Sequence, residues 1–188
     1  MEEIGTGRER RGKREYAAFD YKLNLLMYIN VDASSNRDGD GSASCGGLAR
    51  DEYGRFICGF NRHLGSCNTL HAELWGILKG LEMARYLELR KVQLESDSLL
   101  AIKLIKDPPG QAHPSAALIL KIISLLNKEW EVKLRHIYRE GNMAADLLAR
   151  NCTNCSRETC LYRSPPNFLI QILEKDRSGT TVVRLSVP

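Results

Sequence analysis

The chain alternates between short apolar runs and polar, glycine-rich breaks, and the spacing of the runs predicts its elements. Leu25–Val31 (LLMYINV) is a dense apolar run of strand length, and Asp32 closes it. Ser, Asn, Asp and Gly fill most of Ala33–Ser44, a turn and flexible loop. Cys45–Arg50 reads as a second strand, Asp51-Glu52-Tyr53-Gly54 as a hairpin turn and Arg55–Phe60 as a third strand, which together make a meander. Asn61–Leu70 reads as a loop. Leu74, Ile77, Leu78 and Leu81 then recur at the three- and four-residue spacings of one buried helix face. Val92 and Leu94 alternate with polar neighbours in a fourth strand, Lys91–Glu95. Ser98–Lys106 is a short helix stopped by Asp107-Pro108-Pro109-Gly110, because proline removes a donor and clashes with the preceding turn. Pro114–Leu126 is another helix, Trp130–Tyr138 a fifth strand, and Glu140-Gly141-Asn142 turns the chain into a last helix at Met143–Arg150.

The order β-β-β-α-β-α-α-β-α implies an α/β fold. Its mixed five-stranded sheet has three antiparallel strands followed by α/β crossovers, flanked by helices. Three regions are expected: a flexible basic N-terminal segment at 1–22, the folded domain at 23–150, and a C-terminal extension at 151–188. In the extension, Phe168, Leu169, Ile172 and Leu173 form an apolar cluster too large to leave in water, so it is expected to pack back on the domain. Thr181–Leu185 could add a small extended piece.

Composition narrows the class. The 188 residues suit a single core, and 43% hydrophobic with 27% charged residues is ordinary globular chemistry. The opening MEEIGTGRERRGKR has no apolar run, so it reads as neither leader nor membrane anchor. The formal charge is +4, compatible with a polyanionic partner. Basic residues gather at Arg8, Arg10, Arg11, Lys13 and Arg14, and again at Lys133, Arg135 and Arg139. The six cysteines read as reduced thiols of an intracellular compartment, nucleus or cytoplasm. Cys45 and Cys58 lie in apolar runs as core residues. Cys152, Cys155 and Cys160 offer three thiolates with no obvious fourth ligand, so no zinc is expected there.

Four acids stand among apolar or small neighbours at element ends: Asp32 after the first strand, Glu73 in the first turn of the long helix, Asp97 after the fourth strand and Asp146 inside the last helix. Singly, each is a helix cap or a solvated surface acid. Together they would repel one another, and divalent cations remove the conflict. Hard carboxylate oxygens suit Mg²⁺ or Mn²⁺, and two such ions about 4 Å apart can activate water and stabilise the leaving oxygen of a phosphodiester.

The stretches LLMYINVDASS (25–35), GGLARDEYGRFICGF (46–60), HAELWGILKGLEMA (71–84), VQLESDSLLAI (92–102) and VKLRHIYREGNMAADLLAR (132–150) resemble the ribonuclease H family. The resemblance is to the plant reverse-transcriptase-like type related to non-LTR retroelements. It covers about residues 24–150, and PPNFLIQILEKDRSG (165–179) is similar to the tail that often follows in plant members. It implies the ribonuclease H-like fold and endonucleolytic hydrolysis of RNA in an RNA–DNA hybrid; a monomer without membrane contact is expected. It implies two Mg²⁺ ions, replaceable by Mn²⁺, held by Asp32, Glu73, Asp97 and Asp146. Asp32 would bridge both ions, Glu73 and Asp97 would hold the one nearer the leaving group, and Asp146 the one nearer the attacking water. It also implies substrate contacts from Asn68, Thr69, Ser98 and Arg139, although Asn68 and Thr69 equally suit a helix cap and Arg139 a solvated strand end.

Three departures from the family pattern bear on rate. Ala33 stands where glycine is usual, the loop before the last helix carries no histidine, and Pro108–Pro114 carries no Arg or Lys. His136 lies within a strand and reads as structural. These departures support a rival reading, a slow or catalytically silent nucleic-acid-binding or protein-interaction module on the same fold. An exonuclease or integrase is the third alternative, and Arg139–Asp146 (REGNMAAD) matches those poorly. The sequence is compatible with a stand-alone domain and with a fragment of a longer element.

Overall fold

The structure, a computed structural model, describes residues 25–35, 41–152 and 158–178. The segments 1–24, 36–40, 153–157 and 179–188 lie outside the described residues, and with them the expected basic N-terminal segment, Cys155 and the Thr181–Leu185 piece.

The strands are β1 (Leu26–Ser35), β2 (Ser42–Arg50), β3 (Phe56–Ser66), β4 (Lys91–Ser96), β5 (Glu131–His136) and β6 (Thr159–Tyr162). The helices are α1 (Thr69–Tyr86), α2 (Leu99–Lys106), α3 (Ala116–Leu126), α4 (Met143–Arg150) and α5 (Ile170–Arg177). Single 3₁₀ turns stand at Arg139–Gly141 and Asn167–Leu169. The sheet has six strands in the order β5-β4-β1-β2-β3-β6, not the five expected. β1, β2 and β3 pair antiparallel, β4 joins β1 in parallel and β5 joins β4 in parallel. The sixth strand adds antiparallel to β3, where Gly59–Arg62 face Tyr162–Thr159.

Helices cover both faces. Ile77, Leu78 and Leu81 of α1 pack with Met27, Ile29, Val31 and Leu94 of the sheet, and with Ile119 and Ile122 of α3, in the larger core. On the other face Leu48 meets Ala144, Ala145 and Leu148 of α4, with Leu169 and Leu173 of the C-terminal region. Leu169 and Leu173 are buried, Ile172 is half-buried against them, and Phe168 is 37% exposed. Arg50 ties α5 to the sheet, since its Nη1 meets Asp176 Oδ2 and its Nη2 donates to Asn30 Oδ1, each at 2.7 Å.

Three boundaries differ from the sequence expectation. β1 runs on through Asp32 to Ser35, because Ala33, Ser34 and Ser35 continue the ladder opposite Cys45, Ser44 and Ala43. β3 runs to Ser66 through the segment expected as a loop. Its polar Asn61 is fully buried, donating to the carbonyls of Leu148 and Asn151 and to the Tyr162 hydroxyl. α1 starts at Thr69, which puts Glu73 in the second turn rather than the first, beyond the strongest part of the helix dipole. Cys45 and Cys58 are buried, and burial pushes both thiols up, as core packing demands.

Candidate active site

Strand β1 delivers Asp32 within its register, opposite Gly46 of β2. Two glycines let helices approach it closely. A Cβ at Gly46 would collide with the Ala149 backbone nitrogen, and one at Gly76 would sit 3.2 Å from the Asp32 carbonyl oxygen. Glycine therefore admits α4 against β2 and α1 against β1 at the level of Asp32. Asp97 follows the end of β4, held between Ser96 and the Ser98 cap of α2.

Asp32, Glu73 and Asp97 converge, each offering a carboxylate oxygen within 4.8 Å of the other two. Asp32 is 1% exposed and Glu73 8%. The Ala33 N–H donates to Asp32 Oδ1 at 2.7 Å, but Asp32 Oδ2 and Glu73 Oε2 are buried with no hydrogen-bond partner. Burial first, then repulsion from Asp97, pushes the Asp32 carboxyl up to about 7. Burial, with Asp32 and then Asp97, pushes Glu73 up to about 9. Buried, donor-poor carboxylates at this spacing fit a divalent cation: all the ligands are hard oxygens, and a cation would satisfy both orphaned atoms.

Asp146 stands apart from this trio. Its Oδ1 accepts from Arg150 Nε at 2.9 Å, an i,i+4 pair on α4 in which the Asp146 side chain is 22% exposed. It remains close enough that its charge adds to the upward pressure on both Asp32 and Glu73.

The expected substrate residues are placed as follows. Asn68 caps α1, its Oδ1 accepting from the His71 N–H at 2.8 Å, which leaves the amide N–H groups outside the cap. The Thr69 hydroxyl lies 3.2 Å from that of Ser35. Ser98 caps α2 by accepting from the Ala101 N–H at 3.4 Å. Arg139 opens the 3₁₀ turn before α4 with its side chain 76% exposed and Nε 3.7 Å from Asp97 Oδ2. His136 sits on the edge strand β5 opposite Ser96, its Nε2 3.2 Å from the Asp97 carbonyl oxygen. Ala33 lies in regular strand pairing with Cys45, and the one non-glycine with positive φ among the described residues is Glu88, so alanine at 33 carries no backbone strain.

One further residue of the site, Asn142, is in sequence only part of a turn. Asn142 is 1% exposed, and its Nδ2 donates to the Val31 carbonyl at 2.9 Å and approaches Asp97 Oδ1 at 3.4 Å. The signal available in sequence was a polar residue directly before the apolar helix that bears Asp146. Cys67, half-buried, lines an open cavity of about 570 Å³ with Ser35, Asn68 and Thr69. Among the described residues Asp32, Glu73 and Asp97 form the one group placed to hold a metal, and no helix is long and apolar enough to cross a membrane.

Comparison with known proteins bears on the family and the fold. Residues 30–152 match the family model described as reverse transcriptase-like. A curated Arabidopsis thaliana protein named for ribonuclease H is 34% identical over 153 residues, which is 81% of this chain and 24% of that relative. The chain thus spans about a quarter of the length of the curated relative it matches. The N-terminal RNase H domain of a Mycobacterium tuberculosis protein, solved as a fusion with maltose binding protein, superposes with a TM-score of 0.61 at 21% identity, covering 68% of this chain and 93% of that one. LC11-RNase H1, solved in complex with an RNA/DNA hybrid, gives 0.58 at 23% identity over 65% of this chain and 92% of that one.

Proposed function

The chain belongs to the ribonuclease H family, in its reverse-transcriptase-like group, and from that premise we propose that it is a metal-dependent endonuclease that hydrolyses the RNA strand of RNA–DNA hybrids. The observation that carries this reading is the trio Asp32, Glu73 and Asp97, with two buried carboxylate oxygens that no donor satisfies. The family fold and a structural neighbour solved with an RNA/DNA hybrid support the substrate class.

Two divalent ions bound there would lower the pKa of a water and offset charge on the phosphodiester and its leaving oxygen. The protein's own work is placement. Asp32 would be the shared ligand, as the family resemblance implies; its Oδ1 is held by the Ala33 N–H and its unsatisfied Oδ2 is left for a cation. Glu73 and Asp97 would complete one cation's ligand set, and Asp146 would serve the other after leaving Arg150. Asn68, with its amide N–H groups outside the cap, and Thr69 and Ser98 through their hydroxyls, suit phosphate contacts and the 2′-hydroxyl contacts that tell RNA from DNA. Arg139, exposed beside Asp97, suits a phosphate oxygen. The products would be a 5′-phosphate and a 3′-hydroxyl.

The test is initial rates on labelled hybrid, duplex RNA and duplex DNA, with Mg²⁺, Mn²⁺ or EDTA, for the parent and Asp32→Asn. Cleavage is expected in the RNA strand of the hybrid alone, supported by either metal and abolished by EDTA. Full activity in EDTA would defeat the metal-dependent account. A folded parent that binds hybrid and cuts it with neither metal would favour a silent nucleic-acid-binding module.

A further inference from the structure

The start of α4 carries a feature that helix chemistry alone does not explain. Asn142 occupies the N-cap position, where asparagine normally accepts from the backbone N–H of the second or third helical residue, typically for about 1 kcal/mol. Its side chain makes no such bond. The amide is instead buried at 1% exposure, with Nδ2 on the Val31 carbonyl at 2.9 Å and 3.4 Å from Asp97 Oδ1. Both neighbours are acceptors, so the nitrogen must face them. Oδ1 is then a buried acceptor with no partner. An amide that gives up a helix cap and leaves its oxygen unsatisfied is stabilising something else.

What it contacts identifies that role. The parallel ladder between β1 and β4 ends at Asn30↔Glu95. Val31 and Asp97 lie just beyond it, and Asn142 bridges them where the ladder stops. Its own carbonyl oxygen accepts from the Asp146 N–H at 3.1 Å, within the first turn of α4. One residue thus touches the strand just before Asp32, the carboxylate of Asp97 and the backbone of Asp146.

We propose that Asn142 is a positioning residue that locks Asp97 to the β1 backbone and fixes the start of the helix bearing Asp146, so that the separate carboxylates act as one metal-binding unit. The inference rests on the ribonuclease reading and deepens it: the site's geometry is set by an uncharged side chain that need not touch the substrate.

The experiment separates this role from ordinary helix capping. Asn142→Ser supplies a good N-cap but cannot reach both acceptors, and Asn142→Thr is a second variant of the same kind should the first fold poorly. Mn²⁺ binding by calorimetry is measured on the full chain, beside thermal melting and steady-state cleavage of hybrid. The variants are expected to melt within a few degrees of the parent and to bind Mn²⁺ about tenfold more weakly, the usual scale for residues that support metal ligands. Their kcat should fall at limiting metal and recover as Mn²⁺ is raised, with KM for hybrid unchanged. A folded variant with the parent's Mn²⁺ affinity and kcat overturns the inference, even if its melting temperature drops. A parent that binds no Mn²⁺ sinks the ribonuclease reading and this inference with it, whereas a parent that binds and a variant that binds equally sink this inference alone.

Discussion

The two sides of the candidate site are built on opposite terms. On one side Asp32 and Glu73 are buried with orphaned oxygens, repelled by Asp97 and pushed toward protonation. On the other, Asp146 is partly exposed on α4 and paired with Arg150. The first side is organised but electrostatically unfavourable without a cation. The second is stable as it stands, with Asp146 Oδ1 already paired to Arg150 Nε. Sheet and helix explain the contrast. Strand register and two close-packed helices hold the trio together whatever its charge, while Asp146 projects from a short helix whose next turn supplies a basic partner.

The largest expected effect breaks the first side. Asp32→Asn keeps the acceptor for the Ala33 N–H and turns a donor toward the neighbouring carboxylates, but removes the shared anionic ligand. Hybrid cleavage should fall by about three orders of magnitude or more, some 4 kcal/mol of barrier. The same change should stabilise the metal-free protein at pH 8, where the parent must hold a buried carboxylate ionised. A rise of roughly 5–10 °C in Tm is expected by calorimetry. Asp146→Asn should also cut the rate, yet leave the metal-free Tm within about 2 °C of the parent, because it loses only an exposed ion pair. A metal-free Asp32→Asn protein that melts below its parent would show that the trio is not under electrostatic load.

The pH dependence of stability should show that load directly. For Asp32, raised from 3.8 to about 7, and Glu73, raised from 4.5 to about 9, the folded state keeps protons that the unfolded chain has lost. Folding therefore takes up protons across this range, and stability falls as pH rises. Asp51 and Glu82 are shifted down by hydrogen bonds and ion pairs with Arg55, Lys79 and Lys121, so their contribution is lost only at acid pH. The metal-free Tm should accordingly decline from pH 5 to pH 9, by on the order of 10 °C. Mg²⁺ should raise it far more at pH 9 than at pH 5. Equal stabilisation at both pH values would separate the cation from these carboxyls.

Much of this was legible in the chain, and the misses share a cause. The meander, the crossovers and the helices followed from apolar spacing, because each buries one face. The sequence pattern ends the first strand at Asp32 and makes a loop of 61–66, since polar side chains ordinarily mark turns. Here the backbone ladder continues beneath them, and the polar groups are satisfied by distant partners such as Leu148, Asn151 and Tyr162. β6 is only four residues long and is defined by the free edge of β3, which no local pattern announces. The four acids stood out because each sits at a strand end or on a helix among apolar or small neighbours, and the structure brings Asp32, Glu73 and Asp97 of them together. Asn142 did not, because its role lies in bonds to Val31 and Asp97, far away in sequence.

A smaller effect is expected at His136. It holds the Asp97 backbone rather than a carboxylate, from an edge strand and not from a mobile loop. His136→Gln can keep a donor toward that carbonyl. Hybrid cleavage should stay within about threefold of the parent while stability drops by about 1 kcal/mol, as for one weakened hydrogen bond. A hundredfold loss in rate with Tm unchanged would instead make His136 a proton-transfer group.

The smallest effect tests the second side alone. Under the proposed function Arg150 would compete with a cation for Asp146, but the pair is exposed on the arginine side, at 59%. Exposed i,i+4 pairs contribute about 0.3–0.5 kcal/mol, so the competition should weaken cation binding by only about twofold. Arg150→Gln should then bind the weaker of two Mn²⁺ ions about twofold more tightly and melt at most about 2 °C lower. The sign matters more than the size: removing a positive charge from near an acidic site would by itself favour cations slightly at both sites, whereas release of Asp146 should favour the weaker one selectively. Calorimetric titration at low and at high ionic strength separates the two. Long-range charge effects fade as the Debye length shrinks to about 3 Å in 1 M salt, while the exchange of Asp146 between Arg150 and a cation is a contact event that persists. A gain spread equally over both ions and abolished by salt would mean that Asp146 and Arg150 are a surface pair with no part in the site.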